Sequence, residues 1–353
     1  MVSELDMIEL IRKRAAATAR RSAGVRLGIG DDGALLSLPA GREVVVTTDF
    51  SLEGRHFDRR LHPPHSAGHR TLARGLSDLA AMGATPLAAF LSLAVPRNDA
   101  QKDRWLRGYL AGLMELADAF GVPLAGGDTS ESPPGAGLLA DIMVLGSVPE
   151  GQALRRSGAQ PGDGLYVTGG LGGAAQELAS LQEETSLQSR RVYSRLRWRQ
   201  IDPARHEHPQ PAYPQLFPAP RLAQGTLLRE LRLATACMDL SDGLSTDLTH
   251  LCRASGVRAE VDLKSLPKSQ RLRRAASGVA GCRMLEWLLH GGEDYELLFT
   301  AAPEARVPKS LAGVKVTRIG TIFSQEASEP LVTLVDRHGS RSELAAQGWE
   351  HLR

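Results

Sequence analysis

Two rhythms of apolar and polar positions alternate along this chain. Runs of β-branched or apolar residues closed by a polar stop mark strands at residues 44–48 (VVVTT), 87–95, 138–148 and 164–168. Between them, apolar residues recur every three or four positions, as Leu72, Leu76 and Leu79 do in the stretch 69–82. The same period returns over 104–120, and it is the mark of a helix with one buried face. The opening MVSELDMIELIRKRAAATARR also reads as an amphipathic helix. After Gly151 a second series begins: the strand GLYVT, a glycine turn into a helix (GGLGGAAQELASL), a helix from Arg221, a strand at TACMD and a helix over 243–254. Such interleaving predicts an α/β (α+β) chain of two mixed-sheet domains, residues 1–150 and 151–353. Between Gln182 and Pro220 the period fades and six prolines appear, so residues 182–220 are expected to be an insertion in the second domain.

Composition adds bounds. An apolar fraction of 42% is ordinary for a globular protein, and a net charge of +2 gives no strong pull toward nucleic acid. Cys237, Cys252 and Cys282 show no CxxC spacing, so neither a disulfide framework nor a zinc site is expected, in keeping with a cytoplasmic protein. No apolar run is long enough to span a bilayer, and charges break the opening stretch as they would not in a signal peptide.

The chemistry lies in seven aspartates. They are Asp31 and Asp32 in GIGDDGALL, Asp49 in VVVTTDF, Asp78 in GLSDLAAMGA, Asp128 in LAGGDTS, and Asp239 and Asp242 in MDLSDGLSTD. Most end an apolar run or sit beside glycine, where a side chain is held at the mouth of a cleft. So many acids converge only if cations neutralise them, and hard divalent cations such as Mg²⁺ prefer oxygen ligands. Neighbouring side chains on a strand face opposite ways, so Asp32 is expected to bind metal with Asp31 in support; a plain Asp-Gly turn is the simpler alternative. Thr47, Thr48 and Asp49 offer oxygens at a strand end. Asp78 falls near an apolar helix face and needs a metal or an ion pair, for which Arg74 lies one turn back. Gly126 and Gly127 leave backbone N–H groups for phosphate oxygens beside Asp128. Asp239 and Asp242 flank Ser241 at a helix start, where anions are favoured and Asp242 can also cap.

In HGGEDYELLF, Gly291 and Gly292 precede Glu293 and Asp294, which points to close ligand approach. His56, in the polar loop after Asp49, can hydrogen-bond a phosphate. His62, His65 and His69 in HPPHSAGH are expected in an ordinary loop. No GxxxxGK[ST] loop exists and the six lysines lie outside these motifs, so metal and arginine must neutralise any phosphate. Arg156 in LRRSGAQPGD is a candidate.

Together GIGDDGALL, TTDFSLEGRHF, GLSDLAAMGATP, GGDTS, RRSGAQPGD, MDLSDGLSTDL, GGEDYELLFT and QGWEHL closely resemble the thiamine-monophosphate kinase family, of the ATP-using superfamily typified by aminoimidazole ribonucleotide synthetase. The resemblance covers almost the whole chain outside 182–220. It implies transfer of the ATP γ-phosphoryl group to thiamine monophosphate, several Mg²⁺ ions, and a homodimer formed by the N-terminal domain. It also implies that Asp32, Thr47, Thr48, Asp49, Asp78, Asp128, Asp239 and Asp242 hold Mg²⁺. By the same resemblance Gly127, Arg156 and Ser241 contact ATP, and His56, Glu293 and Trp349 line the thiamine phosphate site. The chain departs from the family at the HLRPxPR segment, which here is QLFPAPR (residues 215–221): Arg221 remains, and the histidine and first arginine do not. The alternative is a sister synthetase of selenophosphate or purine-pathway type. The selenophosphate enzymes resemble this chain less, because it has no cysteine before Cys237.

Overall fold

The computed structural model describes residues 9, 11–15, 18, 24–97, 102–183, 196, 211–275 and 280–348. Backbone contacts divide the chain into two units. The first takes Met1–Leu79, Ala84–Gly151 and Glu184–His206; the second takes Ala80–Gly83, Gln152–Glu183 and Glu207–Arg353. Of the predicted N-terminal helix, Glu9, residues 11–15 and Thr18 are helical, and the rest lies outside the described residues.

In the first unit a short ribbon of β1 (Val25–Leu27) and β2 (Leu35–Leu36) precedes a four-stranded sheet. Its strands are β3 (Arg42–Leu52), β4 (Thr85–Val95), β5 (Leu124–Glu131) and β6 (Leu139–Pro149), in the order β3-β6-β4-β5. Only β4 and β5 run parallel, and the chain between them carries the crossover helix that parallel strands need. The helices are α1 (Pro64–Ala81) and α2 (Lys102–Phe120). Helix α1 packs on one face of the sheet, with Gly75 against Val144 and Leu79 against Gly146. On that face Val45, Ile142 and Val144 are buried; on the other, Val44, Val46 and Phe50 stand exposed.

Two boundaries differ from expectation. Strand β3 does not stop at Thr48 but runs to Leu52, so Asp49 lies mid-strand. Its eleven-residue ladder with β6 pairs the backbone whatever the side chains are. Helix α1 begins at Pro64, which lacks an N–H that the first turn does not use, so His65 and His69 sit on a helix and not in a loop.

The second unit is a larger, mostly antiparallel sheet with the path β14-β13-β9-β12-β7-β10-β8 and β11 beside β12. The strands are β7 (Gly164–Thr168), β8 (Ala236–Asp239), β9 (Val257–Asp262), β10 (Leu297–Ala301), β11 (Ser310–Leu311), β12 (Val314–Ser324), β13 (Val332–Val335) and β14 (Arg341–Glu343). Helices α3 (Gly173–Glu183), α4 (Leu222–Glu230), α5 (Leu244–Ser255), α6 (Gln270–Ala275) and α7 (Gly281–His290) accompany it. Leu165, Val167, Met238, Leu248, Leu251 and Ile322 belong to one buried core that joins the strands to α5 and α7. Among the described residues no helix is long and apolar enough to cross a membrane.

Helices α1 and α2 meet backbone to backbone. A Cβ on Gly68 would stand 1.8 Å from the Tyr109 carbonyl oxygen, and one on Gly112 would stand 1.9 Å from that of His65. Neither carbonyl can swing aside as a side-chain tip can. Gly68→Ala is therefore expected to lower stability by about 1–3 kcal/mol. Gly281→Ala, with nothing within 4 Å, should change it by less than about 0.5 kcal/mol. Denaturant unfolding of the two variants checks the contrast.

Candidate functional site

The middle of β3 faces α1 with polar groups. Thr47 donates its hydroxyl to the Asp78 carboxylate, and Arg74 reaches the Asp49 carboxylate at 3.4 Å. The helical period puts Arg74 and Asp78 one turn apart, so both address the same strand. Burial pushes the Asp49 carboxyl up to about 6; Arg74 pulls it down, while Asp78 and Asp141 push it further up. Alternation sends Thr48 to the opposite, open face, away from Thr47 and Asp49.

That open face carries its own acids. Phe50, Asp141, Ser92 and Asp128 pair in one row across β3, β6, β4 and β5. Desolvation raises the Asp141 carboxyl, a residue the sequence patterns passed over because it lies inside an apolar run. Asp49 and Asp128 belong to the two outer strands, separated by three inter-strand spacings of roughly 4.8 Å.

Toward the β5 edge, Asp31 and Asp32 share a cavity of about 790 Å³ with Ser92, Gly127 and Asp128. The Asp31 carboxylate accepts the Asp32 N–H at 2.9 Å. A Cβ on Gly127, whose φ is 151°, would lie 1.9 Å from the Leu91 carbonyl oxygen. The backbone that comes close to this glycine is the chain's own. His56 is fixed as well: its Nδ1 accepts the Leu52 N–H at 3.0 Å, so the proton of the neutral ring sits on Nε2.

In the second unit, two motifs run side by side past the ends of β8 and β10. The N–H groups of Glu293 and Tyr295 donate to Ser241 and Leu240, and Leu240 donates to Glu296. A Cβ on Gly292 would strike the Ser241 carbonyl oxygen at 2.5 Å, so this glycine admits the MDLSDG backbone. Asp239 is buried at the end of β8, while Ser241 and Asp242 are half-buried.

The start of α5 is capped from within the helix. Asp247, and not Asp242, accepts the N–H groups of Asp242 and Gly243, at 3.1 and 3.0 Å. Burial, with Asp242 and Asp239 near, holds the Asp247 carboxyl well above its usual range. Asp294 likewise fills the start of α3, accepting from Gly172, Gly173 and Ala174 at 2.6–3.1 Å; burial still pushes it up to about 7. Both carboxylates occupy places where a phosphate could otherwise bind.

Glu293 accepts from the Gln215 amide at 2.8 Å. Arg156 is exposed, and its carbonyl accepts from Ser255; the preceding Arg155 carbonyl accepts the Cys237 N–H on the edge of β8. Gly348 lies against the Asp242 carbonyl and donates its N–H to Thr246 at 3.0 Å. Trp349 lies outside the described residues. Tyr109 is core: its hydroxyl donates to Thr71 at 2.8 Å.

The donors in each cluster are oxygens, as magnesium requires. Among the described residues no group of three or more His, Cys, Asp or Glu is placed to hold a metal ion. Magnesium is commonly bound through one or two carboxylates plus substrate phosphates, so sparse carboxylates suit a metal that arrives with a nucleotide. The raised Asp49 carboxyl agrees, since a cation can take the place of the proton that burial retains.

Comparison with known proteins gives one family. Residues 30–148 match the AIR synthase related protein, N-terminal domain, and residues 160–332 match its C-terminal domain. The chain is 40% identical over 332 residues to thiamine-monophosphate kinase of Escherichia coli, covering 93% of this chain and 92% of that one. It is 34% identical over 353 residues to that of Bacillus subtilis, covering 99% and 100%. The crystal structure of thiamine-monophosphate kinase from Stenotrophomonas maltophilia superposes with a TM-score of 0.74 at 36% identity, over 91% of this chain and 94% of that one. AaThiL complexed with AMPPCP and TMP superposes with a TM-score of 0.71 at 26% identity, over 99% and 97%. Hydrogenase maturation protein HypE, at 18% identity, shares the fold alone. These matches, over both units and nearly the full length, place the chain in the AIR synthase related family, among the thiamine-monophosphate kinases.

Proposed function

We propose that this chain transfers the γ-phosphoryl group of ATP to the phosphate of thiamine monophosphate, giving thiamine diphosphate and ADP. The observation that carries the reading is its 40% identity over 332 residues to a thiamine-monophosphate kinase, a match that spans the aspartate motifs of both units. The structure of AaThiL with AMPPCP and TMP supports the same pair of substrates. That match favours the kinase over the sister-synthetase reading.

The acceptor is a phosphate, already ionised near neutral pH, so no general base is needed. What remains is to hold two polyanions in line. Bound Mg²⁺ supplies charge neutralisation between the phosphates and a template for their alignment. Asp32, Thr47, Thr48, Asp49, Asp78, Asp128, Asp239 and Asp242 are the residues proposed to hold it. Gly127, Arg156 and Ser241 are proposed to contact ATP. His56 is suited to a phosphate because the bond to Nδ1 makes Nε2 a donor. Glu293 and Trp349 complete the proposed thiamine phosphate site.

The assembly proposed is a homodimer through the N-terminal sheet. Its open face exposes Val44, Val46 and Phe50 (48%, 55% and 63% exposed) beside Met143, an apolar strip of the kind that marks an interface. A cytoplasmic location is proposed; the free thiols of Cys237 and Cys252, both buried, accord with it.

Purified protein with ATP, Mg²⁺ and thiamine monophosphate should form thiamine diphosphate and ADP in equal amounts; folded protein that forms neither ends the reading. Folded Asp49→Asn and Asp239→Asn variants should lose about a hundredfold or more in kcat at saturating Mg²⁺. The first also tests pH. Asp49 keeps its proton up to about pH 6, so the apparent Mg²⁺ affinity of the wild type should fall roughly tenfold per unit below that, and less steeply in Asp49→Asn. Stability moves the other way: the folded carboxyl holds its proton to about 6 against an ordinary 3.8, so its contribution is greatest below pH 3.8 and declines as pH rises to 6. Finally, Phe50→Glu should convert the dimer to monomer in light scattering, and an unchanged mass would remove the sheet face as the interface.

A further inference from the structure

The segment that departs from the family pattern, QLFPAPR, is built into the second unit at both ends. At its far end, Arg221 is buried against Glu296. At its near end, the Gln215 backbone N–H donates to the Glu177 carboxylate at 2.8 Å, and its side-chain amide donates to the Glu293 carboxylate at 2.8 Å. Gln215 is 2% exposed and Phe217, two residues on, is 1% exposed. A carboxylate only accepts, so the amide nitrogen must be the group facing Glu293.

Glu293 is held unusually firmly. Its φ is 67°, in the left-handed region that non-glycine residues avoid, and Tyr295 at 50° is there too. The backbone between them is fixed on both sides: the Glu293 N–H donates to Ser241, and Asp294 is locked to the start of α3 by three N–H groups. The Gln215 amide bonds the carboxylate itself and so restricts its torsions, and Gln215 is in turn anchored by Glu177. The chain of contacts is Glu177, Gln215, Glu293.

We infer that Gln215 is a positioning residue for substrate recognition: its amide fixes the Glu293 carboxylate in the orientation that receives the thiamine moiety of the acceptor. This rests on the function proposed above. A carboxylate repels the phosphate end of that substrate and attracts its thiazolium and amino groups, so the oriented acid acts on the cationic end. Gln215 therefore affects capture of thiamine monophosphate and leaves ATP untouched. An imidazole at this position, as in the related motif, also offers an N–H donor, so the role survives that exchange.

A double-mutant cycle tests the inference, with steady-state KM for each substrate and the unfolding midpoint read on every variant. Gln215→Met keeps the volume and loses the donor. It should raise the KM for thiamine monophosphate about five- to tenfold, the loss of one hydrogen bond, with the KM for ATP and the unfolding midpoint unchanged. Gln215→His should return the KM to within about threefold of wild type. In a Glu293→Ala background, Gln215→Met should add less than about twofold, since the contact it serves is gone. An unchanged KM in Gln215→Met, a full multiplicative effect in the double variant, or equal rises in both KM values overturns the inference. If Gln215→Met does not fold, Gln215→Leu, which also lacks the donor, carries the same comparison. A wild-type chain that does not turn over thiamine monophosphate overturns the proposed function and this inference with it. Normal wild-type activity with an indifferent Gln215→Met overturns the inference alone.

Discussion

The second unit depends on one buried carboxylate. Glu296 lies where β7 and β10 meet, with 3% of its side chain exposed, and Arg221, 2% exposed, covers it. The Arg221 Nε donates to Oε2 at 2.7 Å, and the Thr168 hydroxyl donates to the same oxygen at 2.7 Å. The Leu297 N–H then donates to the Thr168 oxygen, so the ladder and the ion pair are one network. Gly169 is obligatory beside it, for a Cβ there would stand 1.8 Å from Oε1. Breaking such a pair from one side leaves a buried charge and costs about 3–5 kcal/mol. The geometric consequence matters more than the energy. The pair clamps the PAPR turn to the GGEDYE motif, and so sets where Gln215 stands relative to Glu293.

The same economy of backbone explains the glycines. Sequence patterns read Gly127, Gly291 and Gly292 as room for a ligand, yet what fills that room is mostly the protein. The Leu91 carbonyl comes against Gly127, the Trp287 carbonyl against Gly291, and the Ser241 carbonyl against Gly292. Strand-to-strand and motif-to-motif packing of this closeness brings acidic side chains from distant sequence into fixed relation. It also removes obvious anion sites. The glycine turn before α3 would cradle a phosphate if Asp294 did not already accept its N–H groups.

Much of the architecture is legible in hydrophobic period. The runs at 87–95, 138–148 and 164–168 mark β4, β6 and β7 to within two residues, because buried strands leave unbroken apolar text. Strand β3 is longer than its apolar run because Thr47 and Asp49 face polar groups of α1, and a ladder does not need apolar side chains. The last three strands, β12 to β14, carry mixed and exposed residues such as Lys315, Arg318 and Arg341, so no clean alternation announces them. At the site, acids beside glycine stand out in the sequence. Asp141 and Asp247 do not, although both are perturbed, since their significance lies in what folding places next to them.

The perturbed acids share one cause. Asp49 in the first unit and Asp247 in the second are each desolvated with further carboxylates near, and each carboxyl is raised above its usual range. Folding could have avoided this by spacing the acids or matching each with arginine; Arg74 does so only in part, at 3.4 Å from Asp49. No group of three or more potential ligands among the described residues closes into a metal cage. Carboxylates that repel one another but cannot complete a shell are poor metal sites in the absence of phosphate oxygens. They become good ones when a nucleotide brings those oxygens, because the cation then relieves the repulsion and fills its coordination at once. An incomplete acidic set is thus better suited to a phosphoryl-transfer enzyme than a finished cage, which would hold its metal as firmly without substrate as with it.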